Sequence, residues 1–348
     1  MAQSCDRLIN GLRGVGYQIE IIHFIHRGKV FKRKQQKNGG YTAINYEESE
    51  PHTLNITWNY IKTLGAFDYV VSFGGYLSII GTPIYAQWMS TKLIIFLRGN
   101  DFDTAIFTPR KRESLQYALQ QSALIFSVSS EKQEKINRWV PDLSVHFVPN
   151  GIDLTDWRPS KSEKNYAKNW KAQHASNKIC LGLIGQLKPK KGIQFFIEAL
   201  TKTSLSDEIH LLLIGDIEED HQRDLSEKGL SYSLLPFQDR YELMKYYLCC
   251  EAVVIPSFYD GMPNVMLEAG SLGVPVIASN IDGMADLITH EQDGLLFQVG
   301  DEDGCRKVLY QFVSLNEKRK DLGEALKAKI IDQYTLDHEI NAYKKYIV

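Results

Sequence analysis

Nine short, nearly unbroken apolar runs recur along this 348-residue chain, most of them followed by a longer stretch of helical spacing. In the first half they are QIEIIHF (18–24), YVVSF (69–73), KLIIFL (92–97), ALIFSV (123–128) and VHFV (145–148), and residues 53–64, 76–89, 110–121 and 130–139 have helical periodicity. In the second half KICLGLIG, HLLLIGD, AVVIPS and VPVIAS repeat the pattern. Continuous rather than alternating hydrophobicity marks strands buried on both faces, which means parallel sheets covered by helices. The pattern predicts an α/β protein of two doubly wound, Rossmann-like domains. The joint is expected near 149–160, where Pro, Asn and Gly break structure, giving domains over 1–157 and 158–335. A last helix over 336–348 is expected to return to the first domain. Two such domains would face each other across a cleft bordered by the carboxyl ends of their strands, the usual ligand position in open α/β sheets.

The start departs from this scheme. Residues 2–14 already have helical character and end at Gly14 or Gly16, so the first domain lacks the strand and glycine turn that normally open it. Gly11, Gly14 and Gly16 have the wrong order for a dinucleotide fingerprint and serve to end the helix.

Charge narrows the function. The net charge is −2, made of +3 over residues 1–157 and −5 over 158–348, so no global basic field would gather a nucleic acid. Five cysteines without C-x-x-C spacing fit neither a disulfide framework nor a zinc site, and point to a reducing, cytoplasmic setting. No secretory signal opens the sequence. Residues 69–91 are uncharged over 23 positions, but Gly74, Gly75, Pro83 and Gln87 make a strand, turn and buried helix a better reading than a membrane span.

Two segments carry chemistry. In the segment 256–288, Asp260 and Glu268 stand eight apart with Gly261 and Pro263 between them. Pro263 suits a first helical turn, and the amides of Gly261, Met262, Pro263–Asn264 and Val265 would then be presented with the positive end of a helix dipole to an anion. For an isolated pair of carboxylates, a capped core helix is the commoner arrangement. In 180–200, a buried strand ends at Gly185 and a loop with Lys188, Lys190 and Lys191 leads into a helix near Gly192. Those lysines could neutralise a diphosphate without a metal, although a solvated lysine cluster is commoner.

Together the segments resemble the nucleotide-sugar-binding domain of glycosyltransferase family 4, the retaining enzymes of the two-Rossmann GT-B fold. The resemblance rests on GQLKPKKG, HLLLIGD and S-x-x-DG-x-P-x-x-x-LEA-x-x-x-G-x-PVIAS, with DGMADL and DGLLF after it. It reaches more weakly to FLRGND, FSVSS and VPNGID. It implies that Glu268 binds the donor ribose, Asp260 the transferred sugar, and the Gly261–Val265 loop the sugar and distal phosphate. Lys191 would hold the diphosphate beside Gly185. The chain departs from the family pattern at Gln186, where arginine is usual, at Asp260, where glutamate is usual, and at Arg98, where many members carry histidine. The resemblance implies catalytic roles for Lys191, Asp260 and Arg98, with no metal and no cofactor beyond a UDP- or GDP-linked donor.

The implied function is retaining transfer of a hexose-type sugar to a hydroxyl of a glycan or lipid-linked acceptor. The implied setting is surface polysaccharide or glycolipid synthesis at the inner membrane face. The three departures and the missing strand also fit a non-catalytic relative that binds nucleotide or a partner subunit; a sugar-nucleotide epimerase matches the motif less well. Asp101-Phe102-Asp103 spells D-x-D, but after the strand KLIIFL it reads as a helix cap or a cleft-lining turn rather than a metal site. Residues 26–37 carry six basic side chains and no acid, usually a solvated loop, and offer a contact for anionic lipid or a diphosphate-linked acceptor.

Overall fold

The computed structural model describes residues 2–26, 31–46 and 49–347. The chain divides into two units: Met1–Pro149 with Glu339–Val348, and Asn150–His338.

The first unit opens with α1 (Ala2–Gly14), β1 (Ile19–Ile25), β2 (Phe31–Gln36), β3 (Gly39–Asn45) and α2 (Glu50–Ile61). It continues with β4 (Tyr69–Phe73), α3 (Tyr76–Trp88), β5 (Lys92–Leu97), α4 (Asn100–Asp103), α5 (Pro109–Gln121), β6 (Leu124–Ser127), α6 (Ser130–Trp139) and β7 (Val145–Phe147). β4, β5, β6 and β7 form a parallel four-stranded sheet in that order. Its central strand KLIIFL is buried from Leu93 to Leu97, as an unbroken apolar run requires. β1, β3 and β2 form a separate sheet, with β1 parallel and β2 antiparallel to β3. No described strand bridges the two sheets. β1, although almost wholly apolar, is therefore half-buried or exposed along its whole length, and Val71 on β4 is 45% exposed. The uncharged stretch 69–91 is β4, a glycine turn and α3; among the described residues no helix is long and apolar enough to cross a membrane.

The second unit comprises α7 (Lys161–His174), β8 (Ile179–Ile184), α8 (Ile193–Thr201), β9 (Ile209–Ile214), α9 (Glu219–Glu227), β10 (Ser231–Leu235) and α10 (Arg240–Tyr247). It goes on through β11 (Ala252–Ile255), α11 (Asn264–Ser271), β12 (Val276–Ser279), α12 (Asp282–Leu287), β13 (Leu295–Phe297), α13 (Glu302–Ser314) and α14 (Arg319–Gln333). All six strands are parallel, in the order β10-β9-β8-β11-β12-β13. The sheet therefore reverses its winding between β8 and β11. At such a switch point the loops leaving adjacent strands diverge to opposite faces and leave room for a ligand.

The units divide at Pro149, not after Trp157. Residues 150–157 pack with the second unit: Asn150 Nδ2 donates to the Met262 carbonyl at 2.8 Å, Ile152 N to the Tyr334 carbonyl at 2.9 Å, and Arg240 pairs with Asp156 at 2.6 Å. From Glu339 onward, α15 (Leu336–Lys344) and the residues after it belong to the first unit. There Tyr343 packs against Phe96 and Phe126, and Tyr17 donates to the Ile347 carbonyl at 2.6 Å.

This return is fastened by charge. The Glu339 carboxylate, fully buried, accepts from Arg98 at 3.4 Å and from Arg7 at 3.3 Å. Arg98, whose side chain is 4% exposed, also donates to Ser4 Oγ at 2.6 Å and to the Tyr343 hydroxyl at 3.1 Å. Burial alone would lower the Arg98 pKa, but Tyr343 and Glu339 raise it, so the guanidinium stays charged. Asp101, within α4, accepts from the preceding amides of Arg98 and Gly99 at 2.9 and 2.7 Å, and Asp103 pairs with the buried Lys132 at 2.8 Å. All five cysteines are free, and burial pushes the Cys5 thiol up to about 11 and those of Cys249 and Cys305 up to about 12. Glu339→Ala leaves two guanidiniums without their shared carboxylate. It is expected to destabilise the first unit by about 3–5 kcal/mol, read as a lower urea midpoint of that unit; an unmoved midpoint would show that the network holds nothing together.

Candidate functional site

β8 ends at Ile184, and Gly185 follows with φ of +118°, turning the chain away from the sheet. After exposed Gln186 and Lys188, a single turn over Pro189–Lys191 delivers Lys191 and then Gly192, which starts α8 in the left-handed region at φ +67°. A Cβ on Gly192 would lie 1.9 Å from the Pro256 carbonyl oxygen. Only glycine lets the loop after β8 touch the loop after β11, and the Phe258 amide donates to the Lys190 carbonyl at 2.9 Å across the same junction.

The loop after β11 carries the acidic partner. Lys191 Nζ bonds Asp260 Oδ2, and Asp260 Oδ1 accepts from the Gly261 amide at 3.0 Å. Burial would raise the Asp260 pKa, but Lys191 and Lys190 outweigh it and hold the carboxyl below the usual carboxylate range. Lys190 also lies over the Tyr259 ring, 5.3 Å from its centroid. Pro263 precedes α11 and has no side-chain donor or acceptor, so it makes no capping hydrogen bond to the helix N-terminus beside Asp260. Glu268 lies one turn into α11, and its Oε2 accepts from the buried Tyr247 hydroxyl at 2.6 Å. Burial, and then the Glu268 charge, raise the Tyr247 pKa well above its ordinary value, keeping that hydroxyl a donor.

The downstream motifs support this loop. Gly283, in DGMADL, donates its amide to the Gly261 carbonyl at 2.8 Å. Asp293, in DGLLF, accepts from the Thr289 amide at 2.7 Å and pairs with Lys329 at 2.8 Å. Beneath the loop lies a cavity of about 20 Å³, lined by Lys191, Ser257, Pro263 and Val265 among others. It is water-sized, so a diphosphate would sit on this surface rather than within it.

The structure thus brings Gly185, Lys191, Asp260, Gly261, Met262, Pro263, Asn264, Val265 and Glu268 onto two neighbouring loops and one helix at the switch point. Gln186 lies on the same loop as Lys191, exposed. Arg98, for which the resemblance implies a catalytic role, is bonded to Glu339 in the first unit. Sequence reasoning gave no separate role to Tyr247, Asn150 or Ser257, although VPNGID holds Asn150 and S-x-x-DG begins at Ser257. Tyr247 lies 21 residues before its partner and Asn150 112 before Met262, so neither contact is local in sequence. Ser257 is fully buried, and its Oγ has no hydrogen-bond partner.

The arrangement offers an ammonium and a set of helix-terminal amides for an anion, with two carboxylates to either side for hydroxyl groups. Residues 166–329 match the family model described as Glycosyl transferases group 1. The fold is the GT-B fold of two Rossmann-like domains. Sucrose-phosphate synthase from Thermosynechococcus elongatus aligns with a TM-score of 0.82 over 97% of this chain and 90% of that one, at 17% identity. HepE of Anabaena, solved in complex with UDP-glucose, aligns with a TM-score of 0.75 over 87% and 85% of the two chains, at 16% identity. Among characterised relatives, the UDP-Gal:alpha-D-GlcNAc-diphosphoundecaprenol alpha-1,3-galactosyltransferase of Escherichia coli is 26% identical over 215 residues, 59% of this chain and 54% of that protein. The match spans about half the relative's length.

Asp260, with its pKa held low, contributes stability that is present at neutral pH and lost as pH falls through the depressed folded value. Asp260→Asn should therefore lower the urea midpoint of the second unit at neutral pH by an amount equivalent to roughly 1–3 kcal/mol. The gap to wild type should close only below about pH 4. A gap that is constant with pH contradicts the ion pair.

Proposed function

We propose that this protein is a retaining glycosyltransferase of family 4 type, moving a hexose-type sugar from a nucleotide-diphosphate sugar to a hydroxyl of a glycan or lipid-linked acceptor. The observation that carries the reading is the Lys191–Asp260 pair beside the α11 N-terminus and Glu268, within the segment that matches Glycosyl transferases group 1. The E. coli relative, whose name gives a UDP-galactose donor and a diphosphoundecaprenol-linked acceptor, and the UDP-glucose complex of HepE support the donor and acceptor classes.

Breaking the anomeric C–O bond develops negative charge on the leaving diphosphate and positive charge on the sugar. Fixed positive groups at that diphosphate lower the barrier because they need no reorganisation when the charge appears. In this reading Lys191 shares its ammonium between Asp260 and the diphosphate, and the Gly261–Val265 loop takes the distal phosphate through its backbone N–H groups beyond Gly261, whose own amide is bonded to Asp260. Glu268, oriented by Tyr247, accepts from the ribose hydroxyls, and Asp260 accepts from the sugar. A carboxylate held ionised by a lysine is a poor general acid, so Asp260 is suited to binding and not to protonating a leaving group. The leaving phosphate then takes the acceptor proton on the same face, and the opposed carboxylates of a glycosidase are not needed. No metal is required in this scheme, and acceptor recognition is assigned to the first unit.

A second reading, a nucleotide-binding relative without transfer, is favoured by two observations: neutral Gln186 stands where family members carry arginine, and Arg98 is committed elsewhere. Calorimetric titration with UDP and GDP sugars, followed by a donor-hydrolysis assay, separates the two, since binding without turnover selects the second. Under the first, Glu268→Ala and Lys191→Ala each reduce transfer at least about 100-fold with circular dichroism unchanged. Full activity in both purified variants would remove the assignment of this site.

A further inference from the structure

The basic run that reads as a loop in the sequence is largely a β-hairpin. Residues 27–30 lie outside the described residues, but β2 forms the outer strand of its sheet, and Gln36 pairs with Gly39 across a two-residue turn at Lys37 and Asn38. Asn38 adopts φ of +56°, and a Cβ on Gly39 would lie 2.0 Å from the Ile19 carbonyl oxygen. The tip is tied down at two points. Asn38 Nδ2 donates to the Arg13 carbonyl at the end of α1 at 2.8 Å, and its own carbonyl accepts from the Ile19 amide at 2.9 Å.

Between the hairpin and the last turn of α1 runs a groove of about 370 Å³, lined by Asn10, Arg13, Gly14, Lys34, Gln36 and Lys37. Three of these six are cations and none is an acid. Glu20, the carboxylate on the adjoining strand, faces Arg33 at 3.9 Å and does not line the groove. Lys34 and Lys37 are exposed, whereas Arg13 is 6% exposed. Arg13 spends its two Nη groups on Gln36 Oε1 and on the carbonyls of Ile19 and Gly40, and its Nε–H is buried without a partner. Lysines on an edge strand also protect a sheet against unwanted pairing. That role accounts for Arg33 and Lys34 along the strand, but not for a buried guanidinium donor beside a cationic groove.

We propose that this groove is a phosphate-binding site of the first unit, taking the phosphate or diphosphate group of an anionic ligand. Lys34 and Lys37 would neutralise it as point charges, with the Asn10 and Gln36 side-chain amides supplying directed donors and the Arg13 charge adding to the field. The same group can arrive as a soluble phosphoryl compound or as a lipid headgroup, and the test distinguishes them. The site is separate from Lys191 and Glu268, so failure of either assignment leaves the other standing.

The experiment uses the full chain and hydrogen-exchange mass spectrometry. Inorganic diphosphate is expected to slow exchange in peptides covering 8–14 and 31–40, and to do so equally in the Lys191→Ala protein. Lys34→Gln with Lys37→Gln should weaken that protection about thirtyfold in apparent affinity, and Lys34→Arg with Lys37→Arg should restore it. Sedimentation with phosphatidylglycerol–phosphatidylcholine vesicles, against phosphatidylcholine alone, is the second arm. Vesicle binding lost in the glutamine variant assigns the headgroup source; diphosphate protection without vesicle binding assigns a soluble phosphoryl ligand. Wild-type protein that shows neither response, or a glutamine variant that binds as wild type does, overturns the proposal.

Discussion

The loops that leave β8 and β11 meet because position 192 has no side chain. With Gly192 against the Pro256 carbonyl, the backbone of one loop lies on the other, and Lys191 arrives beside Asp260. Everything at the candidate site follows from that approach. The parallel order of the sheet makes the two loops diverge at the switch point, and the close contact then brings their tips together again. The ion pair, the Gly261 turn and the position of the α11 start beside them are consequences of the same few ångströms. A larger residue at 192 would separate lysine from aspartate before it altered either charge.

This geometry also explains how an acidic half of the chain can present an anion site. The acidic excess of the second unit, 29 Asp and Glu against 21 Lys and Arg over residues 150–338, is screened within about 10 Å wherever water and salt reach it. The site instead depends on charges that are partly withdrawn from solvent. Lys191 is 25% exposed and Asp260 15%, and the amides of a helix terminus are fixed by the backbone. Net charge therefore describes the surface of this unit and says little about its ligand. The same reasoning holds in the first unit, where Arg7 and Arg98 share the buried Glu339 carboxylate, so most of that charge is spent on an internal contact.

The parts of the fold that were legible in the sequence are those fixed by burial on both faces. Each of the nine apolar runs became a strand, most within a residue or two of the expected limits, because a parallel strand between two helical layers tolerates few polar residues. The strands β2, β3, β10 and β13 do not stand out in the sequence. β2 reads FKRKQQ, with no apolar alternation, and is a strand only because β3 supplies its hydrogen-bond ladder and the Lys37–Asn38 turn sets its register. At the candidate site, motif spacing located Lys191, Asp260 and Glu268, whose neighbours in sequence shape the loops around them. The contacts of Tyr247 and Asn150 were illegible for the opposite reason, since each residue reaches its partner only through tertiary structure.

Arg98 marks the limit of reasoning by position. It follows β5 directly, which in an open parallel sheet is where ligand-binding groups are found, and an arginine there reads naturally as a phosphate ligand. Such a reading assumes that the end of the strand stays open. Here the returning chain covers it: Glu339 and Tyr343 come from 241 and 245 residues further on and take up the guanidinium, with Ser4 and Arg7 of α1 completing the surround. Desolvating an arginine is costly unless its partners are fixed in advance. Supplying them from α1 and from the last helix makes the ends of the chain part of the core of the first unit. The position that would have served a ligand in an uncovered sheet serves in this one to hold the two ends of the chain in place.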